Sequence, residues 1–209
     1  MVKGGLALQL RLGDRARTTK DIDVVALLNV KEITVSLREA GSLDVGDWFK
    51  FEVAEPLPDS DLEPGGIRHS IQALLDFADL EPTKVPCYPI TKQIAEKFHA
   101  YTRPHKTGES SRVKDLIDIL LLAELGTISG ERLLQAIQAT FSAQGTHNIP
   151  ENVPYPPANW GREFQRMAAD VGLGNLSLER SYQLMQAFLD PVLKGTSIGL
   201  WDSVGRVWR

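Results

Sequence analysis

The chain has 209 residues, 43% of them apolar and 24% charged, which is enough for one sizeable domain or for a domain with a small addition. Its formal net charge of −4 gives no overall attraction to nucleic acid or to an anionic membrane. The single cysteine, Cys87, excludes an internal disulfide, and the start of the chain lacks the apolar segment of a signal peptide, so we expect a cytoplasmic protein without membrane contact.

The first ninety residues alternate between helix and strand patterns. Leu6–Leu12 is predicted to be a helix, and Gly4 and Gly5 lie at its start. Asp21–Leu27 alternates and then becomes fully apolar, which favours a strand that enters a core. The remaining segments are a helix at Lys31–Ala40, strands at Trp48–Val53 and Ile67–Ala73, and an edge strand or loop at Lys84–Ile90.

From Thr91 onward the pattern is mainly helical. Thr91 is a predicted N-cap, followed by an apolar stripe of Ile94, Ala95, Phe98 and Tyr101. Further helices are predicted at Lys114–Glu124, Gly130–Phe141, Arg162–Ala169 and Leu178–Leu189, and a docked tail at Gly199–Arg209, which contains two tryptophans. The sequence thus predicts an α+β fold, with a small mixed β-sheet in residues 1–90 and a helical C-terminal half in residues 91–209.

Two aspartates and two glycines form the first candidate site. Asp21 and Asp23 are two apart on the predicted strand, so both carboxylates leave the same face, and such a pair is suited to a bound cation. A solvent-facing acidic pair is the alternative. Gly4 and Gly5 at a helix start would let a phosphate approach the backbone. Thr19 lies on the strand face of Asp21 and could bond a phosphate oxygen.

Charged residues on the predicted helix after Thr91 and on the predicted helix Lys114–Glu124 form another candidate. Lys97 lies in an apolar segment, where it either extends towards solvent, pairs with an acid, or holds a triphosphate. Asp115 and Asp118 are three apart on one helix face, and the alternative to a catalytic role is a helix-capping acid plus a surface pair. His99 is interpreted as a structural histidine. The stretch from Lys97 to Lys114 is rich in basic residues and is either a solvated loop or an RNA contact.

Four ordered motifs give these residues a common interpretation. The order K-G-G-x-A-L from Lys3, R-x-T-x-D-I-D from Arg17, A-E-K-x-H-A from Ala95 and R-x-K-D-L-I-D from Arg112 resembles the AbiEii/AbiGii toxin family. Members are nucleotidyltransferases of the polymerase-beta-like superfamily, found in toxin–antitoxin and phage-defence systems. The resemblance implies a nucleotidyltransferase core in residues 1–90, with Lys97 and Asp115 contributed by the helical region.

The resemblance also implies site residues and ligands. Gly4 and Gly5 would hold the phosphates of an NTP, with Arg17 and Thr19 beside them, and Asp21 and Asp23 would hold Mg²⁺ or Mn²⁺. Lys97 would stabilise the triphosphate, and Asp115 would act as a catalytic acid or base. The acceptor would be RNA, such as the end of a tRNA, or a protein, and a cognate antitoxin would be a partner.

The chain also departs from the family pattern. Members usually carry a helix and a strand before K-G-G, and a longer strand region near Gln72 that includes an acidic position. The alternative function is therefore a shortened, non-catalytic relative that binds an NTP or RNA. The identity of the NTP, the acceptor and the oligomeric state do not follow from the sequence.

Overall fold

Helices dominate the chain, with short strands between them. The computed structural model describes residues 1–16, 23–24, 29–43, 50–57, 68–74, 87–104, 112–196 and 199–209. The helices in these ranges are α1 (Gly4–Leu12), α2 (Val30–Gly41), α3 (Ile90–Thr102), α4 (Val113–Ala123), α5 (Gly130–Gln144), α6 (Gly161–Asp170) and α7 (Leu178–Leu193). The strands are β1 (Val2–Lys3), β2 (Asp23–Val24), β3 (Lys50–Leu57), β4 (Arg68–Leu74), β5 (Ile128–Ser129), β6 (Leu200–Asp202) and β7 (Val207–Trp208). The α+β class predicted from the sequence is confirmed.

The strands pair in three small groups. β1 pairs antiparallel with β2, β3 with β4, and β6 with both β5 and β7. Val2 of β1 also forms a parallel bridge with Cys87, so the residues that precede α3 extend the β1–β2 pair. Within the described residues, the β3–β4 pair is the longest of these pairings, and the others involve strands of two or three residues.

The chain divides into two units, and the smaller one is Val25–Val85. Its helix α2 begins with a capping box, in which Asn29 Oδ1 accepts from the Glu32 amide and Glu32 Oε2 accepts from the Asn29 amide, both at 3.0 Å. β3 and β4 form an antiparallel pair with a register shift between Val53 and Pro56. The predicted boundary at residue 90, between a nucleotidyltransferase core and a helical C-terminal region, stays a prediction.

The larger unit comprises Met1–Val24 and Pro86–Arg209 and is built around α4. Residues 115–123 of this helix are all buried, since α3, α6 and α7 pack around it. A helix that is apolar on every side is typical of the centre of a core. The predicted stripe on α3, with Ile94, Ala95 and Phe98, is buried against this core and is confirmed.

The predicted N-cap of α3 is wrong. The helix begins at Ile90, and Thr91 is its second residue. Pro89 is the N-cap, with a φ of −54°, and its carbonyl accepts the first helical hydrogen bond from the Gln93 amide at 3.0 Å. Because the helix begins directly after Pro89, whose ring fixes φ, Thr91 lies inside the first turn, and the start of α3 has no side-chain cap.

The predicted docking of the C-terminal tail is confirmed. Trp201 of β6 is 4% exposed, and its indole N–H donates to Ala123 O at the end of α4 at 2.9 Å. Trp208 of β7 stacks on Phe188 with an interplanar angle of 3° and donates to the Phe188 carbonyl at 2.9 Å. Each tryptophan thus buries its ring and satisfies its donor. None of the helices in the described ranges combines the length and apolar character needed to cross a membrane.

We predict that Trp201→Ala lowers the free energy of unfolding by about 3–5 kcal/mol, because it removes a buried ring and leaves the Ala123 carbonyl without its donor. The control is Val204→Ala in the same hairpin, where the side chain is 93% exposed. This control should change stability by less than about 0.5 kcal/mol. Urea unfolding followed by circular dichroism measures both variants, and equal effects would contradict the docking of the tail.

Candidate active site

The start of α1 lies against an aspartate of β2. Gly4 has a φ of +64°, in the left-handed region that other residues rarely adopt. A Cβ built on Gly4 would lie 1.8 Å from Asp23 Oδ2, so the carboxylate occupies the space that a side chain would need. The antiparallel pairing of Lys3 with Asp23 brings the two segments side by side. Backbone conformation and space therefore both require glycine at position 4.

This end of α1 is suited to an anion. Gly5 lies in the first turn, where amide hydrogens have no acceptor within the helix, and the N-cap Lys3 makes no side-chain cap. The positive end of the helix dipole adds to this preference. The structure thus brings together Gly4, Gly5 and the exposed Asp23. Three further predicted site residues lie outside the described residues: Arg17, Thr19 and Asp21.

One face of α3 connects the start of α1 with α4. Gln93 Nε2 donates to the Gly4 carbonyl at 2.9 Å, and Glu96 forms an ion pair with Lys3 at 3.6 Å. Lys97 lies four residues after Gln93 and reaches α4 instead. Because residues 93, 96 and 97 are three and four apart, they share a face of the helix. Gln93 and Lys97 are separated by about 6 Å along the helix axis.

Lys97 forms ion pairs with two buried carboxylates of α4. Its ammonium lies 2.9 Å from Asp118 Oδ2 and 3.3 Å from Asp115 Oδ1. The Asp115 and Asp118 side chains are 2% and 0% exposed, and that of Lys97 is 17% exposed. Of the three outcomes open to Lys97 from its sequence, pairing with an acid is the one observed. The predicted alternative for Asp115 and Asp118, a capping acid with a surface pair, is wrong because α4 is surrounded by other helices.

Asp115 is the less satisfied of the two acids. Burial raises the pKa of its carboxyl; the charge of Asp118 raises it further, while Lys97, Arg112 and Lys114 act to lower it. Asp115 Oδ2 is buried and accepts no hydrogen bond from any described residue, and Arg112 Nη1 lies 3.9 Å from it. An aspartate with a raised pKa and one oxygen without a hydrogen-bond donor can take a proton from a nearby hydroxyl group.

His99 and the basic residues between Lys97 and Lys114 lie in different surroundings. The interpretation of His99 as structural is confirmed, because its ring is buried and Nε2 lies 2.8 Å from Thr146 Oγ1. In the basic stretch, Arg103 and Lys114 are exposed, whereas Lys97 and Arg112 are directed to Asp115. His105 and Lys106 lie outside the described residues.

One residue of this site, Gln93, was missed by sequence reasoning, whereas Asp118 was placed on one helix face with Asp115 but given no role of its own. Gln93 anchors the Gly4 carbonyl, and Asp118 makes the shorter ion pair with Lys97. Helical spacing could have indicated Gln93, since it is four residues before Lys97. The burial of both residues, however, depends on contacts between distant parts of the chain.

Comparison with protein families decides the affiliation of the chain. The model of the family described as "Nucleotidyl transferase AbiEii toxin, Type IV TA system" matches residues 53–198. The chain belongs to this AbiEii family. The matched range includes Lys97, Asp115 and Asp118 but does not include Gly4 or Asp23. The comparison with curated proteins gives no match. The resemblance derived from the motifs is confirmed at the level of the family.

The AbiEii family gives the ion-paired cluster a chemical context. Its members are nucleotidyl transferases, and transfer of a nucleotide requires a base near the attacking hydroxyl and a site for phosphates. The described residues offer a buried carboxylate, Asp115, and an uncapped helix start at α1 as candidates for these two parts. α3 connects the two, because it contacts Gly4 through Gln93 and Asp115 through Lys97.

We predict that Gly4→Ala destabilises the protein more than Gly145→Ala at the C-cap of α5. The φ angles of the two glycines are +64° and +59°, so the left-handed conformation costs an alanine about 1 kcal/mol at either position. Only at Gly4 does the new Cβ also collide with the Asp23 carboxylate, whereas no described atom lies within 4 Å of it at Gly145. Urea unfolding measures the two losses. Equal losses would contradict the close approach of Asp23.

The burial of Asp115 predicts a pH dependence of stability. Its pKa is raised in the folded state, so between the ordinary value of 3.8 and the raised value the folded protein binds more protons than the unfolded chain. The contribution of Asp115 to the free energy of unfolding therefore falls as the pH rises through this interval. Because Asp115→Asn lacks that contribution, the stability of the wild type minus that of the variant should decrease from acid to neutral pH in urea titrations.

Asp202 provides a control of opposite sign. Hydrogen bonds from the amides of Gly205 and Val204 lower the pKa of this exposed carboxyl, and Arg209 adds to the effect. Its contribution to stability is present above the unfolded pKa and is lost as the pH falls. The stability of the wild type minus that of Asp202→Asn should therefore increase with pH, and parallel curves for the two variants would contradict the raised pKa of Asp115.

Proposed function

We propose that the chain is a metal-dependent nucleotidyltransferase that moves a nucleotide from an NTP to an acceptor, as the toxin of a toxin–antitoxin or phage-defence system. The observation that carries this proposal is the buried Asp115, paired with Lys97 and left with one carboxylate oxygen without a described donor. Helix α3 links Asp115, which pairs with Lys97, to Gly4, which binds Gln93. Gly4 begins α1, and the Asp23 carboxylate lies against it. Membership of the AbiEii family supports the reaction type.

The reaction assigns a proton transfer to Asp115. A hydroxyl oxygen of the acceptor forms a bond to the α-phosphorus of the NTP, and the bond from that phosphorus to the β-phosphate oxygen breaks, so pyrophosphate leaves. The hydroxyl proton passes to Asp115 Oδ2. Its raised pKa makes this oxygen a better proton acceptor than an ordinary aspartate. Gly4 and Gly5 hold the phosphates through backbone amides, and Arg17 and Thr19 contribute side-chain donors.

Asp23 and Asp21 are the proposed ligands of a divalent cation, Mg²⁺ or Mn²⁺. The donor chemistry fits, because carboxylate and phosphate oxygens are the ligands that Mg²⁺ prefers, and Gly4 keeps Asp23 Oδ2 at the start of α1. When bound, the cation neutralises charge on the phosphates and lowers the barrier to transfer. Among the described residues, no group of three or more histidine, cysteine or acidic side chains could hold a metal ion, and Asp21 lies outside them.

Lys97 is proposed to act through its ion pairs. Its ammonium holds Asp115 Oδ1 at 3.3 Å, and the other oxygen of that carboxylate is left without a hydrogen-bond donor among the described residues. Its positive charge also offsets part of the charge on the triphosphate, as the resemblance implies. The acceptor is proposed to be RNA, such as the end of a tRNA, or a protein, with Arg103 and Lys114 as exposed cations beside the site. A cognate antitoxin is the proposed protein partner.

The test is incubation of the purified protein with each α-³²P-labelled NTP, Mg²⁺ and total bacterial RNA. We expect label in RNA with the wild type and none with Asp21→Asn/Asp23→Asn or with Asp115→Asn. Label in protein would keep the mechanism and change the acceptor class. If Mg²⁺-NTP raises the melting temperature of the wild type without transfer of label, the chain is the shortened, non-catalytic relative.

The variant at Lys97 needs charge compensation. Lys97→Met alone would leave two buried carboxylates without their shared cation, a change that typically costs about 3–5 kcal/mol. Lys97→Met/Asp118→Asn removes one charge of each sign and leaves Asp115 near Arg112. We expect this double variant to fold and to lose transfer, whereas Asp118→Asn alone retains part of it. Transfer at the wild-type rate by the double variant would contradict the proposed role of Lys97.

A further inference from the structure

A buried glutamine connects α3 to the first turn of α1. Gln93 is 1% exposed, and its side-chain amide lies between two partners. Nε2 donates to the Gly4 carbonyl at 2.9 Å, and Oε1 accepts from Arg11 Nη1. Arg11 Nη2 also donates to the Tyr88 carbonyl, so both terminal nitrogens of the guanidinium are hydrogen-bonded. A buried amide with both of its ends bonded is held in one position.

The chemistry of the two partners determines which way this amide faces. A guanidinium has only donors, so the atom of Gln93 that faces Arg11 must be the oxygen. The Gly4 carbonyl has only an acceptor, so the nitrogen must face Gly4. The hydrogen bond from Nε2 to the Gly4 oxygen therefore follows from the identity of the partners and does not depend on how the amide is drawn.

This hydrogen bond orients an amide hydrogen of the proposed phosphate site. In a trans peptide, the carbonyl of one residue and the N–H of the next point in opposite directions. Anchoring the Gly4 carbonyl on Gln93 therefore directs the Gly5 N–H away from α3. Gly4 and Gly5 begin α1, and neither has a side chain that could restrict this peptide plane. The hydrogen bond from Gln93 therefore adds to the helix in holding it.

We propose that Gln93 is a positioning residue, which orients the Gly4–Gly5 peptide so that the Gly5 N–H can donate to a phosphate oxygen of the NTP. This inference rests on the proposed function of the site. Gln93 itself touches no substrate and acts through the Gly4 carbonyl. Its loss changes the binding of the NTP and leaves the proton transfer to Asp115 intact, because Asp115 is held by Lys97 one helical turn further along α3.

The decisive variant is Gln93→Glu. Glutamate keeps the size of the side chain and the acceptor for Arg11, but it replaces the donor to Gly4 with an oxygen that the carbonyl repels. We expect the KM for the NTP to rise about tenfold, the contribution of one hydrogen bond to a charged ligand, while kcat and the KM for the acceptor RNA stay near wild type. The matched control is Gln138→Glu, which makes the same substitution at an exposed position of α5 and should leave every parameter unchanged.

Gln93→Met serves as a second variant, because it removes both hydrogen bonds without adding a charge and keeps the inference testable if Gln93→Glu does not fold. Kinetics are measured with the labelled NTP that the wild type prefers, with Mg²⁺ and total bacterial RNA. An unchanged KM for the NTP in the folded variant, or a fall in kcat with no change in KM, would overturn the positioning role while the nucleotidyltransferase function stands. A wild type that transfers no label from any NTP would overturn the proposed function, and the inference with it.

Discussion

The packing of α3 against α4 in the larger unit depends on one ammonium, that of Lys97, which pairs with two buried carboxylates. Asp115 and Asp118 lie on α4, which is buried on every side, and their negative charges would repel each other at this separation if they stood alone. Lys97 supplies the compensating charge from α3, with Arg112 nearby at the start of α4. These contacts require α3 and α4 to meet in one register. Any other register would leave a charge buried without its partner.

Stability alone does not account for this arrangement. Taking ions out of water is costly, and a buried ion pair is often no more stabilising than apolar residues of similar volume. Burial raises the pKa of Asp115 more than the attraction of Lys97 lowers it, which is consistent with that cost. A core made of Leu116, Ile117 and their neighbours would pack without these charges. Retention of a costly, incompletely satisfied carboxylate is what a catalytic role would explain.

The sequence predicted the parts of this structure that depend on local pattern. The stripe on α3, the helix at α4 and the docked tail followed from apolar spacing and from two tryptophans near the end of the chain. The cap of α3 was misplaced, because a threonine near a helix start is a common N-cap, whereas this helix begins directly after Pro89. The strand β5 was missed, since two residues carry no periodicity and its partner lies at the other end of the chain.

The candidate site shows most clearly that local sequence pattern does not predict contacts between separate helices. Spacing along one helix places Asp115 and Asp118 on one face but does not say whether that face meets solvent or Lys97. The two interpretations differ in what Lys97 can do. Counted with Arg112, the cluster has two positive and two negative charges, so it is close to neutral. An ammonium that is already paired attracts a triphosphate less than a free one would. Under the proposed function, the remaining attraction would come from the start of α1, from Arg17 and from a divalent cation. The orientation of the Gly4–Gly5 peptide would then carry more of the binding of the NTP, and Gln93 is the buried group that holds this peptide.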